Sequence, residues 1–174
     1  MVISPTPLAW LRYLVDNHLQ GLARFPAQMN LDDDGWQRLL WRVERDATAR
    51  PALLEQQDAL LSALLRPRWQ ECEQLANWLV QYMDEEAAPM HWLIASASMS
   101  FNHLWQDLGL ASREELRELI TVCFTPLVEM NAQNMRWKKF FYRQVCLSRE
   151  GELTCRSPSC EGCSEIEVCF APET

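Results

Sequence analysis

Four thiols fall within fifteen residues of this chain, CRSPSCEGCSEIEVC at positions 155–169. Cys155, Cys160, Cys163 and Cys169 follow the spacing C-x4-C-x2-C-x5-C, and thiolate sulfur is a soft donor suited to zinc, iron–sulfur or other thiophilic metals. A structural zinc site usually takes two short ligand pairs separated by a longer loop. Here one C-x2-C pair is flanked by single cysteines in a continuous loop, which suits a larger and more splayed object such as an iron–sulfur cluster. Zinc remains the alternative metal. The chain holds seven cysteines, and an odd number without an export signal argues against a disulfide framework.

A second group of residues could serve such a centre. In NMRWKKFFYRQVC, Trp137, Phe140, Phe141 and Gln144 share one helical face, while Arg136, Lys139, Arg143 and Cys146 recur at helical spacing on another. This puts a thiol in line with three cations, nine residues before the first cysteine of the run. Lys138 and Lys139 are the only lysines in the chain, and residues 131–146 carry four cations and no acid. Such a stripe could offset the negative charge of thiolates and sulfides or bind an oxyanion, although a solvated face is the simpler account of a charge run. His103 stands four residues before Asp107, so a His–Asp pair near a helix C-terminus is expected, with metal or oxyanion ligation as the sharper alternative. Cys72 and Cys123 fall in apolar stripes and read as small buried hydrophobes.

These residues need a scaffold. A chain of 174 residues with five glycines and eight tryptophans favours long helices packed on one another, and the periodicity predicts an all-α, bundle-like domain over residues 1–150. Helices are expected over 5–20, after the Asp32–Asp34 cap, and over 51–65, 67–86, 88–107, 112–130 with a break near Pro126, and 133–147. After Gly151 the apolar periodicity stops, and residues 151–174 read as an irregular Cys-rich metal-binding tail. A net charge of −8 excludes a nucleic-acid partner, which demands a basic footprint. Residues 87–106 lack any charged side chain except histidine, yet Pro89, Asn102, Gln106 and the serines make them too polar for lipid, so no membrane span is expected. Met1–Val15 lacks a basic n-region, which points to a cytoplasmic protein.

Three separated segments, FNHLWQDLGLASREEL, NMRWKKFFYRQ and CRSPSCEGCSEIEVCF, together resemble the NifQ proteins of nitrogen fixation. The cysteine spacing follows that family's pattern. It also reproduces, in its first three thiols, the C-x4-C-x2-C opening of plant-type ferredoxins, whose fourth cysteine and body do not match. The resemblance to NifQ implies a non-enzymatic carrier that holds a molybdenum–iron–sulfur cluster and donates its molybdenum to the iron–molybdenum cofactor of nitrogenase. Molybdate is then the metal source, and the NifEN scaffold and the nitrogenase iron protein are the implied partners. Moving molybdenum from an oxygen-ligated oxyanion into sulfide surroundings requires reduction and soft ligands, which thiolates supply. An iron–sulfur electron-transfer protein is the alternative in a different class, and a zinc-stabilised interaction module a weaker one.

Overall fold

The structure, a computed structural model, describes residues 6–47 and 50–148. Among these residues every regular element is helical, so the fold is all-α as the periodicity predicts. Helix α1 spans Pro7–Leu19. Thr6 caps it by accepting from the Ala9 N–H at 3.1 Å, and Pro7 occupies the first turn, where a missing N–H costs nothing. Helix α2, Asp33–Val43, starts on Asp32, whose carboxylate accepts from the Gly35 N–H at 2.7 Å. Asp33 and Asp34 lie in its first turn, where the helix dipole favours them. Its Trp36, Leu39, Leu40 and Val43 recur at helical spacing and are all buried.

Helix α3 (Ala52–Leu65) buries only Leu65, and leaves Leu53, Leu60 and Leu64 exposed. Helix α4 (Trp69–Leu79) buries Cys72, Leu75, Ala76, Trp78 and Leu79. The centre of the molecule is α5 (Met90–Ser98), which lies against α4 and buries side chains all round: Met90, Leu93, Ile94, Ala95, Ser96, Ala97 and Ser98. A helix of this kind survives only where neighbours cover every face, and its small residues let them approach. Ser98 satisfies its buried hydroxyl on the Ile94 carbonyl at 2.7 Å.

The expected helix over 88–107 is two helices. After α5 the chain turns, His103 takes an extended conformation as N-cap, and the short α6 (Leu104–Asp107) begins. Ser112 starts α7 (Arg113–Cys123) by accepting from the Glu115 N–H, as its spacing predicts. Phe124 then leaves helical geometry, and α8 (Thr125–Met130) follows with Pro126 in its first turn, the break that the proline implies. Helix α9, Trp137–Ser148, packs on α4 through Trp137, Phe140 and Phe141, whose rings cluster around Trp78. No described helix is long and apolar enough to cross a membrane.

The core also encloses a histidine. His18 is 2% exposed, with its ring edge-on to Phe25 and Trp36 at centroid distances of 6.0 and 5.6 Å. Its Nε2 lies 3.9 Å from an Asp58 oxygen, but that carboxylate is already paired with Arg50. Burial, and then the Arg50 charge, push the imidazole down to about 3 from its ordinary 6.5, so it is neutral at physiological pH. Below about pH 6.5 the unfolded chain binds a proton here that the native state refuses. The stability present above that pH is therefore lost as pH falls towards 3, by up to about 1.4 kcal/mol per pH unit. Urea unfolding of His18→Phe against the parent chain between pH 7 and 4 should show a shallower decline in the variant. Parallel slopes would mean that His18 is protonated in the native state.

Candidate functional site

Two of the sequence segments singled out above meet in space. Asp107 ends α6 with no exposed surface, and an ionised carboxylate in such a place needs a counter-charge. Lys138, on the first turn of α9 and 31 residues away, supplies it with Nζ 2.6 Å from Oδ2. The same ammonium donates to the Ser100 carbonyl at 2.9 Å. Asn102 completes the shell around Asp107, through its backbone N–H at 3.3 Å and its amide at 3.2 Å. The expected partner of Asp107 was His103. It stands instead at the other end of α6, where its backbone N–H donates to Gln106 Oε1 at 3.1 Å. The physical reason is the break after α5: His103 becomes the extended N-cap of α6, one turn from Asp107 along the backbone, where the Asp107 N–H donates to its carbonyl at 3.0 Å, while the Asp107 carboxylate is taken by Lys138 and Asn102.

The remaining contacts hold the same junction. Arg113 donates to the carbonyls of Asn134 and Met135 at 3.0 Å each. Asn131 bridges to Met135 in both directions, at 2.8 and 2.9 Å. Asn17 donates to the carbonyls of Leu108 and Gly109. Gly109 itself has φ +75°, and a Cβ there would lie 3.0 Å from the Leu22 carbonyl oxygen, so only glycine fits. Phe101, in the loop between α5 and α6, is 71% exposed.

The basic stripe divides on closer view. Lys139 is exposed, while Arg136 and Arg143 are half-buried. Cys146, at helical spacing with all three, is 5% exposed and lines a cavity of about 80 Å3 with Leu75, Met99, Phe141, Tyr142 and Val145. It lies towards α4, as does Tyr142 one turn earlier, whose hydroxyl accepts from Arg68. Burial pushes the Cys72 thiol up and the Cys123 thiol up to about 12, so both stay protonated as small buried side chains. Among the described residues no group of three or more His, Cys, Asp or Glu could hold a metal ion. Cys155, Cys160, Cys163 and Cys169 lie outside the described residues.

Sequence reasoning missed Lys138 and Asp107 as a pair, although a signal was present. Asp107 is the first acid after twenty residues without one, and Lys138 is one of two lysines. Lys138→Met should leave a buried carboxylate without its counter-charge and destabilise the protein by about 3 kcal/mol, whereas Lys139→Gln should stay within about 0.5 kcal/mol of the parent. Urea unfolding of the two variants checks this, and equal midpoints would refute the division between the neighbours.

The sequence profile described as NifQ matches residues 10–171. Among curated proteins, Protein NifQ of Klebsiella pneumoniae is 48% identical over 164 residues, covering 94% of this chain and 98% of that protein. Protein NifQ of Azotobacter vinelandii is 38% identical over 172 residues, covering 94% and 88%. Protein NifQ of Rhodobacter capsulatus is 45% identical over 107 residues, covering 62% and 59%. No solved structure matches the chain. With a family profile matched over residues 10–171 and relatives 48% and 38% identical across most of their length, the chain belongs to the NifQ family.

Proposed function

We propose that the protein acts in nitrogen fixation as a molybdenum carrier, which holds its cargo as a molybdenum–iron–sulfur cluster and donates the metal to assembly of the nitrogenase iron–molybdenum cofactor. The observation that carries this is the C-x4-C-x2-C-x5-C run in a chain that belongs to the NifQ family along most of its length. Cys155, Cys160, Cys163 and Cys169 would hold the cargo, because they are the one dense set of soft donors in the sequence.

Chain connectivity supports a role for α9. Cys155 follows Ser148 by seven residues, so the first thiol can stand no further than about 25 Å from the end of that helix. Lys139 and Arg143 would then offset the charge of an anionic cluster or meet an acidic partner, with the screening that exposed charges suffer. Molybdate would be the metal source, and the NifEN scaffold with the nitrogenase iron protein the receiving apparatus, in the cytoplasm.

Anaerobically isolated protein should contain molybdenum together with iron and sulfide. It should support formation of active cofactor when mixed with scaffold, iron protein and reductant in the absence of free molybdate. Replacing Cys160 or Cys163 by Ala should remove the cluster absorption and the transfer. Protein that holds iron but never molybdenum would instead be an iron–sulfur electron carrier, and colourless zinc-loaded protein would be an interaction module.

A further inference from the structure

Between α3, α4 and α5 lies a cavity of about 190 Å3 lined by Asn30, Ser62, Arg66, Cys72, Ser96 and Met99, with Leu65 and Trp69 completing its wall. Its polar side chains are amide, hydroxyl, thiol and guanidinium, and no carboxylate lines it, in a chain whose net charge is −8. The groups converge. Asn30 Nδ2 donates to Ser96 Oγ at 3.1 Å and lies 3.9 Å from Cys72 Sγ, which is itself 3.7 Å from Ser96 Oγ. Arg66, an exposed residue, lines the cavity and brings a positive charge to it. Arg68, one turn before Cys72, adds a second positive charge nearby, and is held by the Met99 carbonyl at 2.6 Å and by Glu71 at 2.9 Å.

The backbone that delivers Asn30 is unusual. Gln28, Met29 and Asn30 have φ of 58°, 53° and 65°, three consecutive residues in a left-handed region that non-glycine residues avoid at a cost of about 1 kcal/mol or more each. The run is held from both sides. Met29 is fully buried, and the Asn30 carbonyl accepts from the Trp92 indole at 2.6 Å. Strain of this kind persists where the surroundings over-determine it, and it clusters at ligand sites. A wider cleft of about 540 Å3 adjoins the cavity and shares Asn30 and Trp69 with it.

We propose that this cavity binds a small tetrahedral oxoanion, with Asn30, Ser96 and Arg66 as its donors and Cys72 in its wall. A set of convergent donors beside arginine, partly shielded from water, is the arrangement that binds oxoanions through charge-assisted hydrogen bonds. The volume is several times the roughly 30 Å3 of one water and admits a five-atom anion. The anion class rests on the donors alone. Molybdate as the occupant rests on the carrier role proposed above, in which this cavity would hold the incoming oxyanion apart from the cysteine run.

Equilibrium dialysis of the metal-free full-length chain against molybdate, with sulfate run in parallel, tests the site. Saturable binding of one oxoanion per chain is expected, retained when Cys155, Cys160, Cys163 and Cys169 are all replaced by Ala. Binding should weaken at least tenfold in Arg66→Gln, whose side chain is exposed and whose loss should not disturb folding, and likewise in Ser96→Ala. Absence of saturable binding, its loss with the four cysteines, or an affinity unchanged in Arg66→Gln would overturn the site. Equal affinity for sulfate and molybdate would support the oxoanion site and remove molybdate as its particular occupant. Failure here with molybdenum still transferable by the isolated protein would discard the cavity and leave the carrier role standing. Normal oxoanion binding without any transferable molybdenum would do the reverse.

Discussion

The structure turns on one buried charge. Asp107 has no exposed surface, and burying an ionised carboxylate alone costs several kcal/mol. Its ammonium partner comes from 31 residues later, so α9 cannot dock unless Lys138 reaches this one place, and α6 cannot close unless Asn102 and Ser100 turn inwards to meet the same groups. A pair of this sort adds little net stability over an apolar replacement. What it adds is register: of the ways in which an amphipathic helix with Trp137, Phe140 and Phe141 could lie on α4, only one also satisfies the carboxylate. The aromatic face supplies the affinity and the ion pair selects the position.

That division explains which features the sequence discloses. Hydrophobic stripes such as Trp36, Leu39, Leu40 and Val43 declare α2, and the Ser112 and Asp32 caps declare where helices begin, because those signals are local. The Asp107 partner is not local. A His four residues earlier looked closer than a Lys 31 residues on, and nothing in a linear pattern reports that the helix breaks between residues 98 and 104. The left-handed run at Gln28, Met29 and Asn30 is equally silent in the sequence: Asn tolerates that geometry, but Gln and Met give no hint of it. Counting alone puts Cys146 on the cationic face, whereas packing of α9 on α4 buries it beside Leu75 and Met99. The cysteine run is the opposite case. Its chemistry is plain from spacing, and it falls outside the described residues.

The helical body and the cysteine run therefore make different demands. The body spends its polar groups on itself: Asn17 on the carbonyls around Gly109, Arg113 and Asn131 on the turn before α9, Arg42 on the carbonyl of Ala88. Those bonds hold loops that would otherwise carry unsatisfied carbonyls. The region around Asn30, Arg66 and Ser96 differs, with polar groups gathered around a cavity that no carboxylate lines and with three consecutive left-handed residues, where Glu44 and Asn134 take that geometry singly.

The two lysines carry a practical consequence. They are adjacent in sequence and are the only ones in the chain, yet Lys138 is committed to Asp107 while Lys139 faces solvent. An amine-directed reagent thus finds a single reactive side chain on the folded body. A dye, a spin label or an amine-reactive cross-linker attached there, under conditions that spare the more acidic α-amino group, would report from one known point on α9, with no second exposed lysine to blur the signal.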